Sequence, residues 1–243
     1  MTTTTPATTT TPTGALGGAL FRWRLAVIVG FFFVGLVLLW VHARHAELLP
    51  FATFEDLVGK PIAFWVCAPI SLLAFILRTS GEARLGSVVY GQSAALHVVT
   101  GGPFRLLRHP LYAGTWLFFV ATYAPWVAPA LLAVLAILFA LCLRFIAAFE
   151  EQELARTLGD AWSRYAAAVP RFLGVPKRVD DDGIKTTPQS FGLAVLGNLA
   201  LLSMAIYRIL VASDLSFVGL GALNLACLLV WIVVVCARRL LRR

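Results

Sequence analysis

Two short polar stretches hold the residue types that chemistry needs. "RLLRHPLYAG" (105–114) carries Arg105, Arg108, His109 and Tyr112, and "FEEQE" (149–153) carries Glu150, Glu151 and Glu153. Pro110 has no backbone N–H to donate and biases His109 away from helical geometry, so a helix should start at Pro110 or Leu111, with Arg108 and His109 in an extended approach to it. The free amides and the positive end of that helix suit an anion such as a carboxylate or phosphate. Glu150 and Glu151 offer the opposite charge, and Arg144, seven residues before Glu151, falls on nearly the same helical face. Cations on one wall and carboxylates on the other suit a zwitterionic ligand. Arg105 by itself reads as a topology anchor, and Glu153 and Asp180–Asp182 read as solvated faces.

The elements that must position these groups are membrane helices. Of 243 residues, 60% are hydrophobic and 13% charged, and several uncharged runs approach the roughly 20 residues that span a bilayer core. The runs predict helices over Leu25–Val41, Ile62–Leu77, Tyr112–Val127, Pro129–Phe145, Phe191–Val211 and Phe217–Ala237. The expected fold is all-α: a polytopic membrane protein of about six transmembrane helices with a cofactor pocket on its cytosolic side. Residues 1–20 form a Thr/Pro-rich tail with too little apolar surface to fold. Residues 21–99 carry the N-terminal helices, 100–174 a core with the polar motifs, and 175–243 a linker and two C-terminal helices. Arg22 and Arg24 flank the first run as in a secretory signal, but no small-x-small pattern follows it, which predicts a retained helix.

Basic residues stay on the cytoplasmic side. With the N-terminus inside and each run crossing once, only Arg44, Lys60 and Arg208 of the 20 Lys and Arg fall on or near outer segments. Both termini are therefore expected in the cytoplasm. The formal net charge of +8 borders membrane helices, so anionic lipid head groups explain it better than nucleic acid does. Cys67, Cys142, Cys227 and Cys236 lie singly in four apolar runs, without metal-ligand spacing. This topology brings Arg78–Leu111 and Arg144–Ser190 to one face. The short "WVAP" link makes the third and fourth helices a tight antiparallel hairpin and so joins the two polar stretches.

"TGGPFRLLRHPLYAG", a helical hairpin and "FEEQELARTLGDAWSRYAAAVPRFLG" together resemble the isoprenylcysteine carboxyl methyltransferase and phospholipid methyltransferase superfamily of integral membrane enzymes. The ordered elements are Gly102-Pro103-Phe104, then Arg108-His109-Pro110 with Tyr112, then Glu150-Glu151 with Leu154, then Gly159, Trp162 and Tyr165, then Val169-Pro170-Arg171. The resemblance covers about Thr100 to Leu173. It implies S-adenosyl-L-methionine as cofactor, whose methionine end is a zwitterion, with His109, Tyr112, Glu150 and Glu151 binding it. Arg108 would then be the catalytic residue, near the methyl-transfer centre or orienting an acidic acceptor. The implied acceptor is lipidic or small and apolar, a carboxylate, amine or thiol, and no metal is required. Transfer would be an in-line displacement, in which the protein aligns the reactants and strips water from the nucleophile.

Trp162 stands where the family usually has Tyr, and Leu173-Gly174 replaces a proline often found there. Many relatives end soon after the last motif, whereas this chain continues into two more helices carrying Asn198 and Asn224, read as interhelical hydrogen-bond partners. Two other functions compete. A membrane reductase of sterols or enones using NADPH shares an Arg-His-Pro-x-Tyr-like element, but Glu150 and Glu151 would repel the phosphates of its cofactor. A non-catalytic accessory protein would bind no cofactor, or bind it without turnover.

Overall fold

Helices that are apolar on every side, rather than along one stripe, need surroundings as apolar as themselves. A computed structural model describes residues 19–44, 52–90 and 98–213 of this chain. The sixth predicted helix, Asn224, Cys227, Cys236 and nearly all of the Thr/Pro-rich stretch lie outside the described residues. All regular elements among the described residues are helical. The principal ones are α1 (Arg24–Arg44), α2 (Phe54–Val58), α3 (Lys60–Tyr90), α4 (Pro110–Tyr123), α5 (Pro129–Leu158), α6 (Asp160–Ala168), α7 (Pro188–Gly197) and α8 (Leu199–Ala212).

Three of the described helices are long and apolar enough to cross a membrane: Arg24–His42, Lys60–Ser87 and Pro129–Leu158. The bent pair α7 and α8 makes a fourth if counted as one span. Large side chains such as Phe33, Trp40 and Ile137 point outward, where lipid would meet them. Helix α4, with 14 residues, is about 21 Å long against a hydrocarbon core of about 30 Å. The protein is an all-helical integral membrane protein, and the described residues contain three or four spans of the six expected.

Two helices outrun their predicted ends. α3 continues past Leu77 to Tyr90, and α5 continues past Phe145 to Leu158, stopping at Gly159 with φ 54°. The charged residues in these extensions end the apolar run without ending the helix, since Arg, Glu and Ala are good helix formers. The fifth predicted helix is instead divided: α7 and α8 meet at Asn198 with a 59° bend. There the Asn198 side chain donates to the Ala194 carbonyl at 2.8 Å, and its backbone N–H turns to Val195. Such local bonding competes with a continuous helical ladder.

The packing serves the α4–α5 hairpin. Phe32 of α1, Phe118 and Phe119 of α4 and Phe139 of α5 are fully buried together. The Tyr123 hydroxyl donates to the Phe32 carbonyl at 2.5 Å. α4 lies against α3 at Gly114, where a Cβ would stand 2.6 Å from Arg78 Cγ and 3.0 Å from the Ala74 carbonyl. At the far end of α4, the residue that would donate to the Ala121 carbonyl is Pro125, which has no N–H. Arg208 of α8, placed near an outer segment by the sequence, is fully buried and donates to that carbonyl at 2.5 Å. It also donates to Ser71 Oγ at 2.7 Å and to the Met204 carbonyl at 3.3 Å.

Candidate functional site

Pro110 opens α4 at its first position, and His109 caps it at φ −126° and ψ 63°, outside helical geometry. The Arg108 N–H donates to the Pro170 carbonyl at 2.9 Å, so the approach to α4 is tied to the segment that follows α6. α5 descends antiparallel to α4 and brings Glu150 and Glu151 beside this turn. Phe21, just ahead of α1, packs on Phe149 with ring centroids 5.5 Å apart. The start of α1, the start of α4 and the polar end of α5 thus lie at one end of the bundle.

The two glutamates have different surroundings. Glu151 is buried and accepts from Arg108 Nη1 at 2.8 Å, from Arg171 Nε at 2.9 Å and from Arg171 Nη2 at 2.6 Å. His109 Nε2 lies 2.9 Å from Glu151 Oε1. The Arg171 pair is bidentate, the strongest geometry available to a guanidinium and a carboxylate. Hydrogen bonding to Glu151 raises the Arg171 pKa above its ordinary value, against the opposing effect of burial. Glu150 is 37% exposed at its side chain and takes one hydrogen bond, from the Tyr112 hydroxyl at 2.9 Å. His109 stacks on Tyr112 with centroids 5.5 Å apart and planes 20° apart.

This arrangement corrects the picture of two facing walls. Glu151 does not stand opposite the cations; it is bound to them and holds Arg108, His109 and Arg171 in place. The open groups are the exposed edge of Glu150 and Arg108 Nε, which is buried without a protein partner. Arg144 is exposed on α5 and takes no part in the Glu151 cluster. Glu153 is exposed and pairs with Arg156 at 2.6 Å, one turn further along the helix. Arg171 is the cluster member assigned no role from the sequence; its place at the end of Val-Pro-Arg was the available signal.

The aromatic motif residues support the turn from below. Trp162 and Tyr165 are buried with Val169, and the Tyr165 hydroxyl donates to the Phe104 carbonyl at 2.8 Å. Trp162 fills space in this cluster, so an aromatic without a hydroxyl suffices there. Above it, the linker after α6 crosses the Thr100–Arg105 turn as a strap. Asp182, read from sequence as solvated, is 5% exposed at its side chain and pairs with Arg84. Its Oδ2 also accepts from the backbone N–H groups of Thr100 at 2.9 Å and Gly101 at 3.0 Å. Burial raises its pKa, but these bonds, that of Ile184 N and the Arg84 charge outweigh burial and hold it below the usual Asp value. Gly101 makes room for Arg84, since a Cβ there would lie 1.8 Å from Nη2. Asp181 remains exposed, 3.8 Å from Arg105 and 2.7 Å from Arg84. Arg105 therefore has a local structural partner as well as an interfacial position.

An apolar cleft of about 470 Å³ opens between α3 and the hairpin, lined among others by Cys67, Ile70, Trp116, Leu132 and Ala136. Trp116 is one helical turn from Tyr112 on the same face of α4, so the cleft begins one turn from the polar cluster.

Arg-His-Pro-x-Tyr thus stands at the head of α4, and Glu-Glu stands towards the end of its antiparallel neighbour α5. The model of the phospholipid methyltransferase family matches residues 62–161, 100 of the 243 residues of the chain. The match runs from α3 to the first two residues of α6 and contains Arg108, His109, Tyr112, Glu150 and Glu151. No curated protein and no solved structure matches the chain.

Proposed function

We propose that this protein is an S-adenosyl-L-methionine-dependent methyltransferase acting on a lipidic or small apolar acceptor, with the site facing the cytosol and both termini on that side. The observation that carries the reading is the half-exposed Glu150 carboxylate bonded to Tyr112, which stacks on His109, with Arg108 next in sequence keeping an Nε that has no protein partner. A free guanidinium N–H fits the carboxylate of an amino acid, and a half-exposed glutamate fits its ammonium. His109 and Tyr112 give the cofactor an aromatic floor, and Glu151 binds indirectly by fixing Arg108, His109 and Arg171. When bound, S-adenosylmethionine supplies a methyl carbon whose bond to sulfur breaks, sulfur keeping the electron pair, as the acceptor's lone pair forms the new bond.

Arg108, held by Glu151 beside His109, would offer its charge to an acidic acceptor or to the cofactor carboxylate. The apolar cleft favours acceptors with a hydrocarbon body, and one of its lining residues, Trp116, is one turn from Tyr112. A body seated there sheds water from the nucleophile beside it. Carboxylate, amine and thiol head groups all suit this frame.

Calorimetric titration of the detergent-solubilised protein with S-adenosylmethionine or its demethylated product tests the reading, with a reduced nicotinamide dinucleotide as control. Saturable binding of the sulfonium compound alone is expected, followed by labelled-methyl transfer to lipid acids, amines or thiols. Binding of the nicotinamide alone would replace this function with the reductase; binding of neither by folded protein would leave an accessory role.

A further inference from the structure

The bend between α7 and α8 sets Asn198, which is fully buried, against the polar part of α3. Its Oδ1 accepts from Arg78 Nε at 3.0 Å, and its Nδ2 donates to Glu82 Oε2 at 2.9 Å. Arg78 reaches onward to α4, where Nη1 donates to the Leu111 carbonyl at 3.3 Å and to the Thr115 hydroxyl. Leu111 lies between Pro110 and Tyr112. A continuous line of hydrogen bonds therefore runs from the C-terminal helix pair, through α3, to the first turn of α4, the turn that presents His109 and Tyr112. The bare Gly114 lets the Arg78 stem lie flat against that helix.

We infer that Asn198 and Arg78 are positioning residues of the cofactor site, setting the height and rotation of the α4 first turn, so that the C-terminal helix pair is a working part of the site. The inference rests on the cofactor reading above. Its chemistry is specific at both residues. An amide can accept from a guanidinium with one atom and donate to a carboxylate with the other. Aspartate at 198 would confront Glu82 with a like charge, and alanine would leave Arg78 Nε and Glu82 without this partner. At 78, the fixed fork of arginine serves Asn198 and α4 in two directions at once, which the single ammonium of lysine does not reproduce. Interhelical hydrogen bonds add only modestly to membrane-protein stability, because the unfolded chain in the membrane also finds partners. The line of bonds therefore bears on geometry more than on whether the helices associate.

The test is titration of the full-length protein with S-adenosylmethionine, together with thermal melting, for wild type, Asn198→Ala, Asn198→Asp and Arg78→Lys. Asn198→Ala and Arg78→Lys are expected to weaken binding about tenfold, which is about 1.4 kcal/mol, with the melting midpoint close to wild type. Asn198→Asp is expected to weaken it further. A cycle with Tyr112→Phe separates positioning from plain stability. If Asn198 acts through the turn, the Tyr112 substitution costs little more once Asn198 is gone, whereas independent effects would add. Should Asn198→Ala not fold, Asn198→Gln carries the same test, since it keeps both amide functions but displaces them by one methylene. Binding within twofold of wild type across the folded variants, or additivity in the cycle, overturns the inference alone. A wild-type protein that binds no cofactor overturns the functional reading and this inference with it.

Discussion

Two arginine centres stand at opposite ends of α4, one partly exposed and one fully buried. At its start, Arg108 and Arg171 share the carboxylate of Glu151, beside an exposed Glu150 and with one N–H of Arg108 left over. At its end, the hydrogen-bond partners of Arg208 are neutral oxygens: those of Ala121, Ser71 and Met204. Each centre keeps one buried Nε without a partner, so what marks the first is that charge is matched by charge there and that the half-exposed Glu150 lies beside it. In the second, charge completes a helix end that Pro125 leaves open. Burial of an arginine therefore says little about function; the identity of its partners and the access of solvent to them distinguish the two.

The sharpest way to break this comparison is Glu151→Gln, which strips two guanidinium groups of their carboxylate. Loss of one partner from a buried ion pair costs about 3 kcal/mol or more, so S-adenosylmethionine affinity should fall about a hundredfold. Glu153→Gln should change it less than twofold, and equal effects in a titration would erase the distinction between cluster and solvated face. Next in size, Arg208→Leu should lower stability by about 2 kcal/mol, the loss expected when hydrogen bonds to a charged group disappear. Cofactor affinity of the folded variant should stay unchanged. Adding Pro125→Ala supplies a backbone donor for Ala121 and should restore part of the melting midpoint. A loss of affinity in Arg208→Leu rivalling that of Glu151→Gln would merge the two centres into one.

Within the first centre, Glu150→Gln should weaken cofactor binding about tenfold, a single charge-assisted contact of about 1.4 kcal/mol. Arg108→Ala should lower labelled-methyl transfer even at saturating cofactor, and unchanged turnover there would remove Arg108 from the chemistry. The smallest effect concerns the strap. Because the folded Asp182 pKa lies below its ordinary value, its contribution is present above the unfolded value of about 4. It fades as pH falls through the lower folded value. Hydrogen exchange at the Thr100 and Gly101 amides should stay slow at neutral pH and quicken only in that acid range. Asp182→Asn should show the faster exchange already at neutral pH.

The start of α4 was legible because proline permits few conformations: Pro110 fixed both the first helical residue and the non-helical His109. The meeting of Tyr112 with Glu150 was legible because the short link after α4 left the hairpin one arrangement. The extent of α3 and α5 was not, since hydropathy registers where lipid ends and not where the helix ends. Asn198 was expected to bond between helices, and it does, but one polar residue in an apolar run does not announce a bend. Asp182 was misread because three consecutive aspartates look alike in sequence, while only the last of them accepts from the amides of Thr100 and Gly101. Arg171 escaped notice as a ligand of Glu151 because no helical or strand spacing relates them; α6 turns the chain back to bring them together.

The three side chains gathered on Glu151, Arg108, His109 and Arg171, have a thermodynamic consequence for ligand capture. Immobilising a flexible side chain at an interface costs about 0.5–1.5 kcal/mol, and here that ordering accompanies folding rather than binding. A ligand arriving at the turn meets donors already aimed, so little reorganisation separates encounter from the final complex. Among variants that leave Glu151 intact, differences in affinity should therefore lie in how long the ligand stays rather than in how fast it arrives.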